Sequence, residues 1–363
     1  MQFTKKQLCL IWLDGFEGLE YKHKYQILKE LGNELCAENV ITKCKDYIIS
    51  NVSEQAYNTI KASATIDFIK HLLGGLQERE VIPITIFSDE YPHSLKEIEN
   101  PPLVLYAKGD VSLLNGRLFA MVGSRKSLPI SLAAAKDYAT TLSQSGFTLV
   151  TGIAEGVDET VIKSTMEIGG KAISVIAGGI DNVYPKTNVS LIEKLSKTGL
   201  VISEQPPEFI SKPYMYPIRN RIIAGLAEGV LVVSAGKKSG TLYTAQFAGE
   251  YGKDLFAIPY GIGVLSGVGC NELIKRGATL TDTPQDIIEY YGLTDKSEKR
   301  EYSTEEQAII NVLKEGGMHI EKIARAVNKQ TFEIIPLLST LEIEGVIVKS
   351  ANTYQLTHTI TED

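Results

Sequence analysis

Short apolar runs alternate with helix-forming segments from residue 103 to residue 292, and this alternation constrains the fold more than any other feature of the chain. The runs are nearly continuous in apolar residues, which is typical of strands covered on both faces of a parallel sheet. We predict strands at 103–106, 118–122, 148–151, 172–176, 200–203, 230–233 and 255–258. Right-handed crossovers between them then give an α/β fold with a Rossmann-like, doubly wound, mostly parallel sheet.

Other segments flank this pattern on both sides. Residues 4–73 place apolar side chains at helical spacing, and a connector rich in glycine and proline follows them. Ser303 and Glu306 have the spacing of a capping box at the start of a helix. Further helices and a hairpin are predicted after that helix, in the order of a winged helix. We therefore predict a small helical domain at 1–75, a Rossmann-like domain at 80–293, a linker at 294–302 and a winged-helix domain at 303–363.

The third helix of the C-terminal segment, at 331–344, would be the DNA-reading helix of a winged-helix protein. It carries three glutamates and, after Thr331, no lysine or arginine. Because binding to DNA depends on neutralising phosphates, this composition favours contact with a protein or a structural role over the reading of DNA.

The composition is that of an ordinary globular protein, with 44% hydrophobic and 22% charged residues among 363. The formal net charge of -7 argues against a protein coated in positive potential. No run approaches the roughly 20 apolar residues of a membrane span, and the start of the chain shows no export signal, so we expect a cytoplasmic protein without a membrane partner. The four cysteines form no CxxC pair and have no histidine at ligand spacing, which predicts free thiols and no metal site.

A strand, a tight turn and a helix meet at Gly123, Ser124 and Arg125, directly after the predicted strand 118–122. The free amides at the start of a helix, together with the helix dipole, favour an anion such as phosphate. Gly123 permits a close approach of the backbone, Ser124 adds a hydroxyl donor and Arg125 adds a bidentate guanidinium. An ordinary tight turn is the alternative interpretation. The turn lacks the GxGxxG spacing of a dinucleotide site, and we expect no cofactor.

Further loops should reach the same edge of the sheet, because the carboxyl ends of parallel strands lie together. Gly152 begins a glycine-rich turn after the strand 148–151, and Asp158 is expected to cap or orient backbone near the next helix start. Glu155 would repel a phosphate ligand unless it faces away or pairs with an arginine. Lys186, in the loop after the following strand, is a candidate for a phosphate contact.

A local basic patch lies between residues 211 and 238 and is interleaved with aromatic rings. Its candidate binding residues are Lys212, Tyr214, Tyr216, Arg219, Asn220 and Arg221. A single-strand binder needs this mixture, since cations follow the backbone while rings stack on exposed bases. A buried tyrosine with a satisfied hydroxyl is the alternative for each ring. Another helix start follows at Lys237, Lys238, Ser239, Gly240 and Thr241. Several anion sites along one edge favour an extended polyanion such as a nucleic-acid strand.

Catalytic machinery is hard to assemble from these residues. The chain has no Gly-x-Ser-x-Gly elbow, no HExxH and no P-loop lysine pattern, and none of the loops above contains a histidine. We therefore expect a protein that is not an enzyme and has no catalytic residues.

Five segments in order resemble the DNA-processing protein A family, also called DprA or Smf. They are 121–125 (MVGSR), 151–158 (TGIAEGVD), 219–226 (RNRIIAGL), 239–245 (SGTLYTA) and 269–271 (GCN). The resemblance covers residues 80 to 292. The N-terminal segment, which is SAM-like or helix-hairpin-helix-like, and the C-terminal winged helix resemble longer members more weakly. Glu155 departs from the family pattern, which usually has arginine or a similar residue there.

The resemblance implies a recombination mediator that binds and protects single-stranded DNA and loads RecA recombinase onto it during natural transformation. It also implies a homodimer formed through the Rossmann-like domain. By position, the phosphate-gripping role falls on Ser124 and Arg125, with Arg219, Asn220 and Arg221 in the second half of the pocket. No motif marks the RecA contacts or the dimer contacts.

The alternative is a nucleotide-processing enzyme of the lysine-decarboxylase-like phosphoribohydrolase group, which has a similar fold. Those enzymes carry Pro-Gly-Gly-x-Gly-Thr followed closely by a glutamate. This chain reads AGKKSGT at 235–241 and has no carboxylate until Glu250.

Overall fold

The computed structural model of the protein describes residues 3–16, 18–293, 302–343, 346–350 and 353–356. The chain divides into two compact units, Met1–Asp282 and Thr283–Asp363. All but one residue of the predicted linker lies outside the described residues. Within the part of the chain that is described, no helix is both long enough and apolar enough to cross a membrane.

The N-terminal segment of the first unit is helical. Its described residues form α1 (Lys5–Asp14), α2 (Tyr21–Leu31), α3 (Ala37–Lys43), α4 (Lys45–Asn51), α5 (Glu54–Ser63) and α6 (Ile66–Glu78). Thr4 starts α1 with a capping box, in which its hydroxyl accepts from the Gln7 amide (3.3 Å) and the Gln7 side chain accepts from the Thr4 amide (2.8 Å). Trp12 of α1 is fully buried and donates its indole N–H to Ser63 Oγ at 3.1 Å, which joins α1 to α5.

The main sheet follows in the same unit. Its strands among the described residues are β1 (Ile82–Thr85), β2 (Val104–Gly109), β3 (Leu118–Gly123), β4 (Thr148–Thr151), β5 (Ala172–Ile176), β6 (Leu200–Ser203), β7 (Gly229–Ser234), β8 (Asp254–Ala257) and β9 (Thr279–Leu280). Their spatial order is β1-β2-β6-β5-β4-β3-β7-β8-β9. All neighbours from β6 to β9 are parallel, whereas β2 pairs antiparallel with both β1 and β6. The predicted mostly parallel, Rossmann-like sheet is confirmed.

The differences from the predicted strands lie at the two edges of the sheet. The seven predicted strands are all present to within a few residues, but β2 runs antiparallel to its neighbours. Strands β1 and β9 were not predicted. β1 contains Pro83, which is tolerated because the strand lies at an edge, and β9 has only two residues, both exposed.

Helices cover the sheet between these strands. In the described residues of the first unit they are α7 (His93–Lys96), α8 (Pro129–Gln144), α9 (Val157–Glu167), α10 (Val189–Thr198), α11 (Met215–Leu226), α12 (Thr241–Glu250) and α13 (Val268–Lys275). Pro129 suits the first position of α8, because its fixed φ is helical and no N–H is needed there. α11 packs against α7 and α12, which fixes the helix that carries the 219–221 motif.

Apolar side chains alternate between two cores, one on each face of the sheet, as the pleat of a doubly covered strand requires. Along β5, Ile173 and Val175 belong to one core, whereas Ile176 belongs to the other, which also contains the N-terminal helices. Buried Tyr106 of β2 donates its hydroxyl to the Asp14 carboxylate of α1 at 2.9 Å. The predicted boundary between the helical and Rossmann-like domains therefore lies inside one unit and stays a prediction.

The second unit has its own core. Its described elements are α14 (Pro284–Tyr290), α15 (Thr304–Leu313), α16 (Ile320–Ala326), α17 (Thr331–Ile343), β10 (Met318–His319), β11 (Ile347–Ser350) and β12 (Thr353–Leu356). The strands pair antiparallel in the order β10-β12-β11. The predicted capping box is present: Ser303 Oγ accepts from the Glu306 amide (3.2 Å), and the Glu306 carboxylate accepts from the Ser303 amide (2.9 Å). Glu344 and the turn of the predicted hairpin lie outside the described residues, and the winged-helix assignment stays a prediction.

Candidate functional site

The loops after β3, β4, β5, β6 and β7 lie at one edge of the sheet, because these strands are parallel neighbours. The chain moves outward from β3 through β4 and β5 to β6, and then returns to the other side of β3 to form β7. In open α/β sheets such a switch point leaves a crevice where ligands bind. We call the exposed or half-buried cations and rings around it the carboxyl-edge surface. They are Arg125, Lys126, Tyr184, Lys186, Lys212, Tyr214, Tyr216, Lys237 and Lys238.

Three serines fill the switch point itself. The Ser124 amide donates to Ser234 Oγ (3.1 Å), and the Ser124 hydroxyl donates to the Ser234 carbonyl (3.2 Å). Ser127 donates to the Ser124 carbonyl (2.9 Å) and lies 2.8 Å from Ser234 Oγ. Both donors of Ser124 are thus engaged inside the protein, so the arrangement does not support their predicted use in gripping a phosphate. The serines instead join the loop after β3 to the end of β7 and fix the backbone position from which the Arg125 side chain extends.

Arg125 is exposed and forms a row with two aromatic rings. Its guanidinium carbon lies 5.6 Å from the centre of the Tyr216 ring, within the range of a cation–π contact. The Tyr184 ring meets Tyr216 nearly edge-on, with centres 6.2 Å apart and an angle of 70°. The Tyr216 hydroxyl lies 2.9 Å from Ser211 Oγ, which holds the ring in place. The row places a guanidinium next to two tyrosine rings, with Arg125 and Tyr184 exposed and Tyr216 half-buried.

Two predicted glycines serve close packing beneath this row. A Cβ on Gly123 would lie 2.4 Å from Val157 Cγ2, so glycine there lets α9 pack against the end of β3. A Cβ on Gly152 would lie 2.4 Å from Asp158 Oδ2 and 2.8 Å from both terminal nitrogens of Arg219. Glycine at 152 therefore makes room for this buried charged pair. Neither glycine is placed to approach a ligand directly.

Arg219 is a buried support of the surface. It is only 8% exposed, its Nη1 donates to the Val175 carbonyl, and its Nε has no hydrogen-bond partner among the described residues. Asp158 is equally buried and accepts from the Ala154 amide (3.3 Å), as the predicted role in orienting backbone requires. Burial raises the pKa of Asp158 and lowers the pKa of Arg219, and the attraction between the two groups opposes both shifts. This burial beneath the surface does not support the predicted direct contact between Arg219 and a phosphate, which stays a prediction.

Arg221 lies on the other side of α11. Residues two apart on a helix are about 200° apart around its axis, so Arg219 and Arg221 cannot face the same way. Arg221 Nη2 donates to the Glu204 carboxylate (2.5 Å), and its Nε donates to the Asn100 carbonyl (3.2 Å). It is 6% exposed. The structure does not bring Arg221 and Arg125 together, and the predicted phosphate contact of Arg221 is corrected to a buried ion pair.

The loop before α12 is tied to α11 and to itself. Asn220 donates its side-chain amide to the Gly240 carbonyl at 3.3 Å. The Ser239 hydroxyl donates to Thr241 Oγ1 (3.0 Å), and the Thr241 amide donates to Ser239 Oγ (3.3 Å). These predicted binding residues therefore shape the loop, while its two lysines remain exposed.

The charge at this edge is positive once the ion pairs are taken into account. Asp181 and Glu208, in the loops after β5 and β6, both accept from Arg79 at the end of α6. Glu155 is exposed and accepts from the Thr187 hydroxyl at 3.2 Å, without an arginine partner among the described residues. The six cations of the carboxyl-edge surface form no ion pair within the described chain. Arg79 balances only one of its two carboxylate partners, so that excess negative charge and Glu155 together oppose six cations.

Sequence reasoning missed five residues of this site, which are Lys126, Ser127, Tyr184, Ser211 and Ser234. Lys126 follows Arg125 in the same loop, and Tyr184 lies two residues before the predicted Lys186, so their place in the sequence is a signal for both. Ser211 and Ser234 gave no signal of their own. Only the order of the strands and the fold of the 204–214 loop bring them to their partners.

The fold and the site together define a class of protein. It is a Rossmann-like protein whose switch point carries exposed cations and tyrosine rings, in loops without a histidine. The chain belongs to the DNA recombination-mediator protein A family, which it matches over residues 83–292. This confirms the expected resemblance. Because the family is one of recombination mediators, membership also confirms the expectation that the chain is not an enzyme.

Curated relatives agree with this assignment. The DNA processing protein DprA of Bacillus subtilis is 36% identical over 222 residues, which are 61% of this chain and 75% of that protein. DprA of Streptococcus pneumoniae is 39% identical over 208 residues, 56% of this chain and 72% of that protein. Protein Smf of Escherichia coli is 32% identical over 273 residues, 72% of this chain and 73% of that protein.

Two solved structures are similar as well. The X-ray structure of DprA from Streptococcus pneumoniae has a TM-score of 0.67 and 29% identity, and covers 84% of this chain and all of that one. DNA processing protein A from Helicobacter pylori has a TM-score of 0.53 and 28% identity, and covers 58% of this chain and 95% of that one. The Helicobacter structure is described for that protein's single-stranded DNA binding mode.

Proposed function

We propose that this chain binds single-stranded DNA along the carboxyl-edge surface and acts as a recombination mediator. The observation that carries the proposal is the row of Arg125, Tyr216 and Tyr184 beside cations that have no ion pair among the described residues. Family membership and the DNA-binding relative from Helicobacter pylori support it.

The mixture of groups favours a single strand over a duplex. Cations at the surface attract the phosphates of either form of DNA. Ring faces add binding energy only where bases are unstacked and exposed, which is the condition of a single strand. Without a histidine in these loops or an exposed pair of carboxylates beside the row, the surface is suited to holding the strand and not to cutting it.

We further propose that the bound strand is protected and passed to RecA recombinase during natural transformation, and that the protein works in the cytoplasm as a homodimer through its Rossmann-like unit. These steps rest on the family to which the chain belongs. RecA-dependent ATP hydrolysis on a single strand, measured with and without this protein, tests the transfer, and light scattering tests the dimer.

The C-terminal unit is proposed to be a winged-helix domain that contacts protein. In its described residues α17 exposes Phe332 and Ile335 together with Glu333 and Glu342, and it contains no lysine or arginine. Such a helix lacks the groups that neutralise phosphates.

Fluorescence anisotropy with a labelled oligothymidylate, at several salt concentrations, tests the main proposal. Each phosphate contact to a single strand contributes about -0.7 to the slope of log affinity against log salt. We expect saturable binding, a slope of several such contacts and weaker binding to a duplex of the same length. Binding that is undetectable, or independent of salt, would contradict the proposal.

A further inference from the structure

A second exposed feature lies beside the carboxyl-edge surface and is apolar. Leu128 and Ile130, around the start of α8, are exposed, and so are Ile262 and Leu265 in the loop between β8 and α13. Ile262 is fully exposed and Leu265 is 80% exposed. We call these four side chains the apolar shelf. Single exposed apolar side chains are common, but these four come from two segments that are joined through the Tyr260–Ser131 hydrogen bond, and clustered exposed apolar groups mark interaction sites.

The loop that carries half of the shelf is firmly held. The Tyr260 hydroxyl donates to the Val233 carbonyl at 2.7 Å and lies 2.8 Å from Ser131 Oγ, which joins this loop to α8. The Asn271 side chain accepts from the Tyr260 amide (3.0 Å) and donates to its carbonyl (2.8 Å). The Gly269 amide donates to the Ala235 carbonyl at 2.7 Å. Ile262 and Leu265 thus project from a fixed frame.

The shelf continues the carboxyl-edge surface. Ser127, which lies 2.8 Å from Ser234 Oγ at the end of β7, is followed directly by Leu128. The Leu265 carbonyl lies 3.5 Å from the position of a Cβ on Gly236, and the two exposed lysines follow Gly236 in the chain. Leu128 is therefore three residues from Arg125 in the chain, and the backbone at Leu265 contacts the start of the loop that carries both lysines.

We propose that the apolar shelf holds bases of the same single strand whose phosphates are bound by the neighbouring cations, so that the DNA site extends past the switch point toward β8. This inference rests on the proposed function. A base offers an apolar face, and covering it with leucine and isoleucine removes apolar area from water on both partners. The flanking cations keep the strand's phosphates beside the shelf.

A second copy of the chain is a poorer occupant. A twofold interface places the same patch of both copies face to face. It would bring the unpaired lysines and arginine that flank the shelf of one copy toward those of the other, and like charges across an interface oppose binding. A polyanion meets no such penalty.

The test compares wild-type protein with the Ile262→Ser, Leu265→Ser double variant, and uses Ile66→Ser as a matched control, because Ile66 is also exposed and apolar but lies in the N-terminal helices. Anisotropy is measured with oligothymidylates of about 6 and about 20 nucleotides, since the short one fills only part of an extended site. We expect the double variant to bind the longer strand about fivefold to tenfold more weakly, by the loss of base contacts. The short strand and the control variant should keep wild-type affinity.

Unchanged affinity of the double variant for the longer strand, with wild-type binding intact, overturns the inference alone. Absence of binding by the wild type removes the proposed function as well, so the two failures are distinguishable. A fall in molar mass by light scattering in the double variant would assign the shelf to a second copy. Loss of co-sedimentation with anionic vesicles would assign it to a lipid surface, and either result overturns the proposal.

Discussion

The carboxyl-edge surface and the outer face of α17 both expose large apolar or aromatic side chains, but they differ in the charges beside them. Tyr184 and Tyr214 stand among cations that have no ion pair in the described chain. Phe332 and Ile343 of α17 stand among glutamates. An exposed ring therefore does not specify a partner by itself. The neighbouring charge decides whether a polyanion is attracted or repelled.

The two surfaces also differ in how their charges are supported. Arg125 extends from a turn that three serines hold in place, and a buried aspartate and arginine lie beneath it. The α17 face is the back of a helix whose other side, at Ile334 and Leu338, packs into the core of the second unit. The carboxyl-edge surface thus holds charged groups in place for a ligand, whereas the outer face of α17 is an exposed apolar stripe.

The largest expected effect comes from reversing the charge at Arg125. Arg125→Glu removes the cation that contacts the Tyr216 ring and places a carboxylate among the phosphates, so we expect single-strand affinity to fall about 10- to 100-fold for all sequences alike. Anisotropy with an oligothymidylate and with a mixed-sequence oligomer measures it.

The matched control for this change is Arg325→Glu, the same charge reversal at an exposed arginine of α16. It should leave single-strand affinity within about twofold of wild type, because Arg325 belongs to the second unit, which we propose contacts protein and not DNA. Equal losses in the two variants would show that net charge, and not the carboxyl-edge surface, controls binding.

Much of this fold follows from local pattern. Buried strands of the parallel sheet read as apolar runs, and all seven predicted ones are present. The prediction was incomplete at the edges of the sheet for physical reasons. β1 is a short strand that contains a proline, and β2 is as apolar as a parallel strand although it pairs antiparallel. Direction depends on long-range pairing, which no local run of residues specifies.

The location of the candidate site was predicted better than the role of each of its residues. Motif spacing placed Arg125 and the tyrosines at one edge, because parallel strands end together. The different roles of Arg125, Arg219 and Arg221 could not be predicted, because burial, and for the last two the direction in which α11 turns each side chain, depends on the folded chain. Hydrogen-bond partners such as Glu204, directly after β6, and Ser234, at the end of β7, come from distant parts of the sequence, and only the folded chain shows them.

Arg221 is expected to affect stability and not binding. Arg221→Met leaves the Glu204 carboxylate without its partner in a site where the two side chains are 7% and 20% exposed. Leaving such a charge uncompensated should lower the free energy of unfolding by about 2–3 kcal/mol, somewhat less than for a fully buried pair. Urea denaturation measures the stability, and anisotropy of the still-folded variant should show affinity within about twofold of wild type.

The paired variant Glu204→Gln keeps a hydrogen-bond acceptor for Arg221 and should cost less stability. If Arg221→Met instead keeps its stability and loses DNA affinity, Arg221 belongs to the binding surface after all.

Glu155 gives a smaller effect in the opposite direction. Its exposed carboxylate opposes the cations of the carboxyl-edge surface, and the Thr187 hydroxyl can still donate to a glutamine at that position. We expect Glu155→Gln to raise single-strand affinity about twofold to threefold at low salt, with the gain shrinking as salt screens the charge. A loss of affinity would mean that the carboxylate orders its loop for binding.

The smallest expected effect tests the other half of the comparison. The Phe332→Ser, Ile335→Ser double variant removes exposed apolar side chains of α17, so the free energy of unfolding should change by no more than about 0.5 kcal/mol for each substitution. Single-strand affinity should stay at the wild-type value, because α17 has no cation to neutralise a phosphate. If anisotropy shows a loss comparable to that of Arg125→Glu, α17 contacts DNA despite its glutamates. If affinity is intact while RecA-dependent ATP hydrolysis on the bound strand falls, the apolar stripe is the surface through which a protein partner is engaged.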